Sequence, residues 1–319
     1  MEYRFRALVQ PYKSKNPEDF KMKRIKLGVV AVLLLVSAAP CLAVDFIVGA
    51  KAGYFAWEPY IKEIPASGFS DIDKGTGVLY GPVLSILFTP DITLSAAALT
   101  GTQSTYWNSR HSSFAAGDGS VQHLDADYSV ESKRTDIDSA LSYRIIENLK
   151  VFLGYKYQHI VTSMSYTEVR VNPPDADGHE HVSEVCLMDN KIETPSQGPA
   201  LGIGTSYAFG SGYFAAANLS ALYMRGYFKI RKDKDLRYFS NNDFIREYEA
   251  VPELKLDTKQ IGLNFEPSIG HSTESGLIFT LGFRYQWLRT EFVDKIEGTS
   301  LGKTNDYLYG TFVSVLYSL

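Results

Sequence analysis

Apolar and polar residues alternate through most of this chain, most cleanly at its end. Counting back from Leu319 in steps of two gives Tyr317, Val315, Val313, Thr311, Tyr309 and Tyr307; the other face carries Ser318, Leu316, Ser314, Phe312 and Gly310. A period of two over thirteen residues predicts a strand, long enough to cross a bilayer when tilted. The same period recurs in Leu149, Val151, Leu153, Tyr155 and Tyr157, which alternate with Lys150, Phe152, Gly154, Lys156 and Gln158. Ten such segments are predicted, at about 46–54, 78–88, 92–98, 136–144, 149–158, 199–209, 213–223, 260–266, 277–287 and 307–319. Pro82 falls inside the second, an awkward place in a sheet. Short turns at Thr89-Pro-Asp91, Glu147-Asn148, Gly210-Ser-Gly212 and His271-Ser-Thr-Glu274 alternate with long polar loops at about 57–75, 104–129, 164–194, 230–254 and 292–304.

What fills the second face of each strand decides between a soluble sandwich and a membrane barrel. A sandwich core would be apolar on its inner face. Here that face holds Gly, Ser, Asn, Gln and several charges, which suits a barrel lumen, while the apolar face suits lipid. A terminal strand cannot leave its edge unpaired in a membrane, so it must close against another strand. That last strand, with an aromatic two residues before an apolar terminus, resembles the terminal strand of Gram-negative outer-membrane β-barrel proteins, although Leu319 stands where Phe is usual. The resemblance implies an all-β fold: one antiparallel transmembrane β-barrel of about ten strands in the cell outer membrane, contacting membrane lipid and lipopolysaccharide. It also implies delivery by the barrel assembly machinery through the C-terminal strand.

The first residues read as targeting rather than fold. Met22-Lys-Arg-Ile-Lys26 is a positive segment, Leu27 to Val36 is apolar, and Cys41 and Ala43 suit the −3 and −1 positions of a cleavage site. Residues 22–43 are therefore expected to be a signal peptide cleaved before Val44. Pro40 argues against lipidation at Cys41. Residues 1–21 precede a complete signal and read as a mis-assigned start, which leaves 44–319 as the barrel.

Composition adds little to the fold and more to the partners. Hydrophobic content of 45% is ordinary because a barrel is apolar on one face only, whereas 21 Tyr and 18 Phe suit strands and interfacial girdles. Removing residues 1–43 takes away 8 of 32 basic and 3 of 36 acidic residues, leaving 24 and 33, a net charge of −9. That balance argues against nucleic acid as a partner. One cysteine, Cys186, then remains, so no disulfide forms within the chain.

If the register holds, Lys51, Asp138, Arg144, Lys150, Lys156, Glu266 and Arg284 all point into the lumen, where charges must find partners. A barrel of this size is narrow enough for side chains to fill. The charges predict either a polar plug or a narrow path for ions or small solutes. Gly154-Tyr-Lys-Tyr-Gln158 and Gly282-Phe-Arg-Tyr-Gln286 are near copies, with cation and amide inward and aromatics toward lipid.

A ten-strand barrel also invites comparison with the omptin proteases. Their site resembles an Asp-x-Asp and an Asp-x-His pair on extracellular loops, activating a water. Asp125-Ala-Asp127 and Asp177-Gly-His179 match in kind, though the second lies on the third loop rather than the fourth. Asp177, His179 and His181 could also hold a divalent ion, but nothing in the sequence supplies the remaining ligands. His111-Ser-Ser113 is similar to the His-x-Ser of outer-membrane lipid A deacylases, which have eight strands. No motif implies a cofactor. The run Lys229, Arg231, Lys232, Lys234, Arg237 lies where a strand leaves the membrane and is expected to meet lipopolysaccharide phosphates. The leading expectation is a non-enzymatic structural or surface-interaction protein, with a narrow channel and an omptin-like protease as alternatives.

Overall fold

The computed structural model describes residues 44–60, 74–106, 110–115, 121–172, 181–239, 244–247, 253–294 and 302–319. Twelve strands follow in order: β1 Asp45–Glu58, β2 Gly75–Leu87, β3 Ile92–Tyr106, β4 Arg110–Ala115, β5 Val121–Ile146, β6 Leu149–Asn172, β7 His181–Gly210, β8 Tyr213–Phe239, β9 Phe244–Glu247, β10 Leu254–Ser272, β11 Leu277–Phe292 and β12 Thr304–Ser318. Ten of them form a ring of antiparallel neighbours, β1-β2-β3-β5-β6-β7-β8-β10-β11-β12, closed by β12 on β1. The short β4 and β9 lie outside it, paired with β5 and β8. At the seam Ile47 pairs with Ser318 and Glu58 with Tyr307, and the Leu319 N–H donates to the Phe46 carbonyl at 2.8 Å. Closure leaves no ring strand with an open edge, the condition for backbone in lipid.

The ring follows the predicted strands but not the predicted loops. Four ring strands run well past the rest: β5, β6, β7 and β8 have 26, 24, 30 and 27 residues, against 14 in β1 and 15 in β12. Much of 104–129, 164–194 and 230–254, read above as loop, is paired β-ribbon. Ser129 still faces Ser165, and Cys186 faces Arg237. Pro82 does not interrupt β2, which pairs through it with Ala50 on β1; with no N–H, it leaves a gap in the ladder to β3 between Tyr80 and Val83.

At the other end the strands meet in tight turns. Gly210, Ser211 and Gly212 all have positive φ, at 88°, 50° and 81°. That left-handed path is what lets two residues connect β7 and β8 without splaying them. The wall between is apolar on its outside: Leu141, Leu153, Leu201, Ile203, Ile261, Leu281 and Val313 are exposed. Rings bracket this band, with Tyr143, Tyr207, Phe209, Tyr213 and Tyr317 toward the turns and Tyr54, Tyr80, Tyr155, Tyr223 and Tyr285 toward the loops. Indole and phenol rings sit in just this way at the two faces of a bilayer.

Candidate functional site: the filled lumen

The inner faces of the ring strands converge on a lumen occupied by side chains. At the long-loop end lies an apolar layer of Tyr60, Val130, Met164, Ile192, Phe228, Leu256 and Phe292. Its three rings meet edge to face, Tyr60 to Phe228 at 6.5 Å, Tyr60 to Phe292 at 6.2 Å and Phe228 to Phe292 at 6.0 Å between centroids. Farther in, Phe55, Trp57, Leu79, Leu99, Ile160, Leu308 and Phe312 pack together, and Ala200, Leu222, Met224 and Leu288 make a smaller cluster.

Polar side chains run alongside these clusters. Arg134 grips Asp136 with two hydrogen bonds, Nε to Oδ1 at 3.0 Å and Nη2 to Oδ2 at 3.2 Å, and its Nη2 also donates to Gln158 Oε1 at 2.9 Å. The Trp57 indole donates to Asp306 Oδ2 at 2.9 Å. Nearer the turns, Asp138 accepts from Lys156 Nζ and from Arg284 Nη2, each at 2.8 Å. Arg284 continues to Glu266 at 3.2 Å, and Glu266 meets Lys51 Nζ at 3.0 Å. Lys51 also lies 3.7 Å from the centroid of the Phe312 ring. Lys156 is 3.6 Å from Asp136, joining the two halves into one network. Paired in this way, charges can sit inside a narrow lumen without the penalty of isolated ions.

The two near-copied pentapeptides meet inside this network. β6 and β11 are not sheet neighbours. Yet Lys156 of one copy and Arg284 of the other share Asp138, and Gln286 Nε2 donates to Gln158 Oε1 at 3.1 Å. Gly282 leaves room for the Phe312 ring, into which any side chain at 282 would run.

Of the charges expected in the lumen, Lys51, Asp138, Lys156, Glu266 and Arg284 thus come together. Arg144 does not: it lies at the mouth, half exposed, with Nε 3.9 Å from Asp91 of the turn. Lys150 lines the lumen, but among the described residues no carboxylate lies within ion-pair distance of it. Sequence reasoning missed Arg134 and Asp306 and left Asp136 out of the network. Continuing the even-numbered face of β5 back from Asp138 would have found Asp136 and Arg134.

Asp125 and Asp127 lie on β5, opposite Val169 and Thr167 of β6, with His111 of β4 across from Asp125. Their side chains, and Asp177 and His179 altogether, lie outside the described residues. Among the described residues no three His, Cys, Asp or Glu side chains gather to hold a metal ion. The run 229–237 is strand rather than loop. Lys229 and Arg231 are described there; the side chains of Lys232, Lys234 and Arg237 are not. Glu253, 2.9 Å from the Lys229 ammonium, holds the pKa of that lysine above its usual value through their hydrogen bond.

Closure, an apolar band bracketed by rings, and a polar, packed interior together define a transmembrane β-barrel of the outer-membrane class. In that class the short turns face the periplasm and the long strands the outside. No protein-family model matches the chain, and no curated protein is similar to it in sequence. Among solved structures it is similar to the outer membrane protease OmpT from Escherichia coli, at 10% identity over 86% of this chain and 96% of that one, with a TM-score of 0.41. It is also similar to the translocator domain of the autotransporter NalP from Neisseria meningitidis, at 9% identity over 94% and 97% of the two chains and a TM-score of 0.35. A third is the outer membrane protein OprG from Pseudomonas aeruginosa, at 11% identity over 86% and 97% and a TM-score of 0.28. What makes this chain a member of the class is its own closure and its own band.

Proposed function

We propose that this protein is a non-enzymatic, non-conducting barrel of the outer membrane, a structural and surface-interaction protein that presents its long ribbons outside the cell. The observation that carries this reading is the occupied lumen. Arg134, Arg284, Lys156, Leu79, Leu99, Ile160, Met224, Leu288 and Leu308 all point inward and are at most 2% exposed. An ion moving along the axis would have to part Tyr60 from Phe228 and Phe292, then break the pairs on Asp136 and Asp138. The first step breaks ring packing, and the later ones strip charges of their partners, which costs several kcal/mol. Potassium chloride efflux from liposomes tests the proposal. Vesicles carrying the protein should leak no faster than empty ones, whereas leakage that scales with protein content would favour the narrow-channel alternative.

Beyond the outer ring of aromatics the wall turns basic. Arg225, Lys229 and Arg231 of β8 face outward beside Lys255 and Lys259 of β10 and Arg289 of β11. Cross-strand register sets Lys259 against Arg225 and Lys255 against Lys229. Asp257, Glu253 and Glu291 are interleaved, so the face is a mosaic with cations in excess. It lies just past Tyr223 and Tyr285, and a ring of aromatics of this kind marks the membrane interface in such barrels, which supports a place among lipid headgroups. The reading here is a contact with lipopolysaccharide phosphates through charge-assisted hydrogen bonds.

A further inference from the structure

Toward the turns the packed side chains leave a gap in the lumen. Below the Asp138 network lies a cavity of about 230 Å³, bordered by Ser95, Ser142, Lys150, Asn218, Ser220 and Asn264, with the network cations as its roof. At about 30 Å³ per water that volume holds seven or eight waters, or a small solute with some of them. Its walls mix hydroxyls, amides and charges with apolar groups of Val83, Ala96, Leu99, Phe152 and Leu222. Ser95, Ser142 and Lys150 lie within a few residues of the short turns, the end that faces the periplasm in barrels of this class.

The charges around this cavity do not balance. Lys51, Lys156 and Arg284 in the roof are each within 3.2 Å of a carboxylate oxygen of Asp138 or Glu266. Lys150 has no such partner among the described residues. It projects from β6 into the lumen, opposite Gly204 of β7. A methyl group built on Gly204 would lie 2.5 Å from both Lys150 Cε and Asn218 Oδ1, so the lysine stem and the amide converge over that bare backbone. The Asp138 and Glu266 carboxylates that border the cavity are taken by the roof cations, so the half-buried Lys150 ammonium, with the Asn218 amide beside its stem, is arranged to meet an anion from solution. We propose that this vestibule binds a small oxyanion, a carboxylate or a phosphate, from the periplasm, with Lys150 as its cation and Asn218 and Ser220 as hydrogen-bonding neighbours. The site goes beyond the non-conducting reading and does not depend on it, since a dead-end vestibule and a channel mouth could both bind.

Calorimetric titration of the detergent-solubilised protein with inorganic phosphate, and separately with acetate, tests the site. Wild type should show saturable binding of at least one probe at a single site. Lys150→Met should weaken it about tenfold or more, as loss of a charged hydrogen-bond partner implies. Gly204→Ala keeps the charge but crowds the lysine stem, and should weaken binding too. Arg289→Met, on the outer wall near the far end of β11, should leave it unchanged. Heat-modifiable migration on gels shows that each variant is folded. Absence of saturable binding to wild type, or equal binding by wild type and Lys150→Met, would overturn the proposal. Preference between the two probes tells carboxylate from phosphate.

Discussion

Asp138 joins walls that lie five strands apart around the ring, taking Lys156 from the neighbouring β6 and Arg284 from β11 across the lumen. Both cations are 2% exposed, so replacing Asp138 with Asn leaves two buried ions short of a partner. Breaking a fully buried pair costs about 3–5 kcal/mol, and the loss here is smaller because the Asp138 side chain is itself 36% exposed to the lumen. The Asp138→Asn barrel should therefore unfold at a distinctly lower denaturant concentration, whereas Arg144→Gln at the exposed mouth should unfold with wild type. Equal midpoints for Asp138→Asn and wild type would remove the network from the account of stability. The alternation along β5, β6 and β11 places these three residues on the inner face from sequence alone. That they share one carboxylate is not legible there, because strand tilt and the stagger around the ring decide which inward residues meet. The same stagger leaves Lys150 without a carboxylate partner among the described residues, although it sits on the same face.

At the scale of elements, turns and strand lengths behave differently. Gly210-Ser-Gly212 is recognisable as a turn because positive φ at consecutive positions calls for glycine. Gly212 has a second constraint: an added methyl would run into the Ser272 carbonyl oxygen. Gly212→Ala should lower refolding yield and cost about 1–3 kcal/mol in urea unfolding, the strain expected of a non-glycine residue forced into that region with a clash. A midpoint unchanged from wild type would mean the turn is not so constrained. The extensions of β5 to β8 are hidden in sequence because beyond the membrane neither face is lipid. The apolar period fades while backbone pairing continues, and a polar ribbon then reads as loop. The basic wall shows the same effect. Lys229 and Arg231 stand out in a run of cations, but Arg225, Lys255, Lys259 and Arg289 are scattered over three strands and gather only in register. Changing Arg225, Lys255, Lys259 and Arg289 together to Gln should reduce co-purifying lipopolysaccharide and make the remainder less sensitive to salt; unchanged retention would refute that contact.

For the molecule as a whole, the seam between β1 and β12 turns a sheet into a barrel. Its sequence signature, the alternating last strand, is the most legible feature of the chain. If that strand also carries the signal for assembly, Tyr317→Ala should lower the amount of folded barrel in cells. The same variant should still fold in detergent, where the ladder from Ile47–Ser318 to Glu58–Tyr307 remains available. Equal loss in both settings would make Tyr317 a folding residue instead. The identity of the class follows from closure and the lipid band. The state of the lumen follows from side-chain packing, which a period of two cannot report. Single-channel recording in a planar bilayer reads that state directly, comparing wild type with Lys156→Ala/Arg284→Ala. The account predicts a silent wild type and, in the variant, conductance steps or a loosened but still silent barrel. Steady conductance steps from the folded wild type, altered in ion selectivity by the two substitutions, would contradict it.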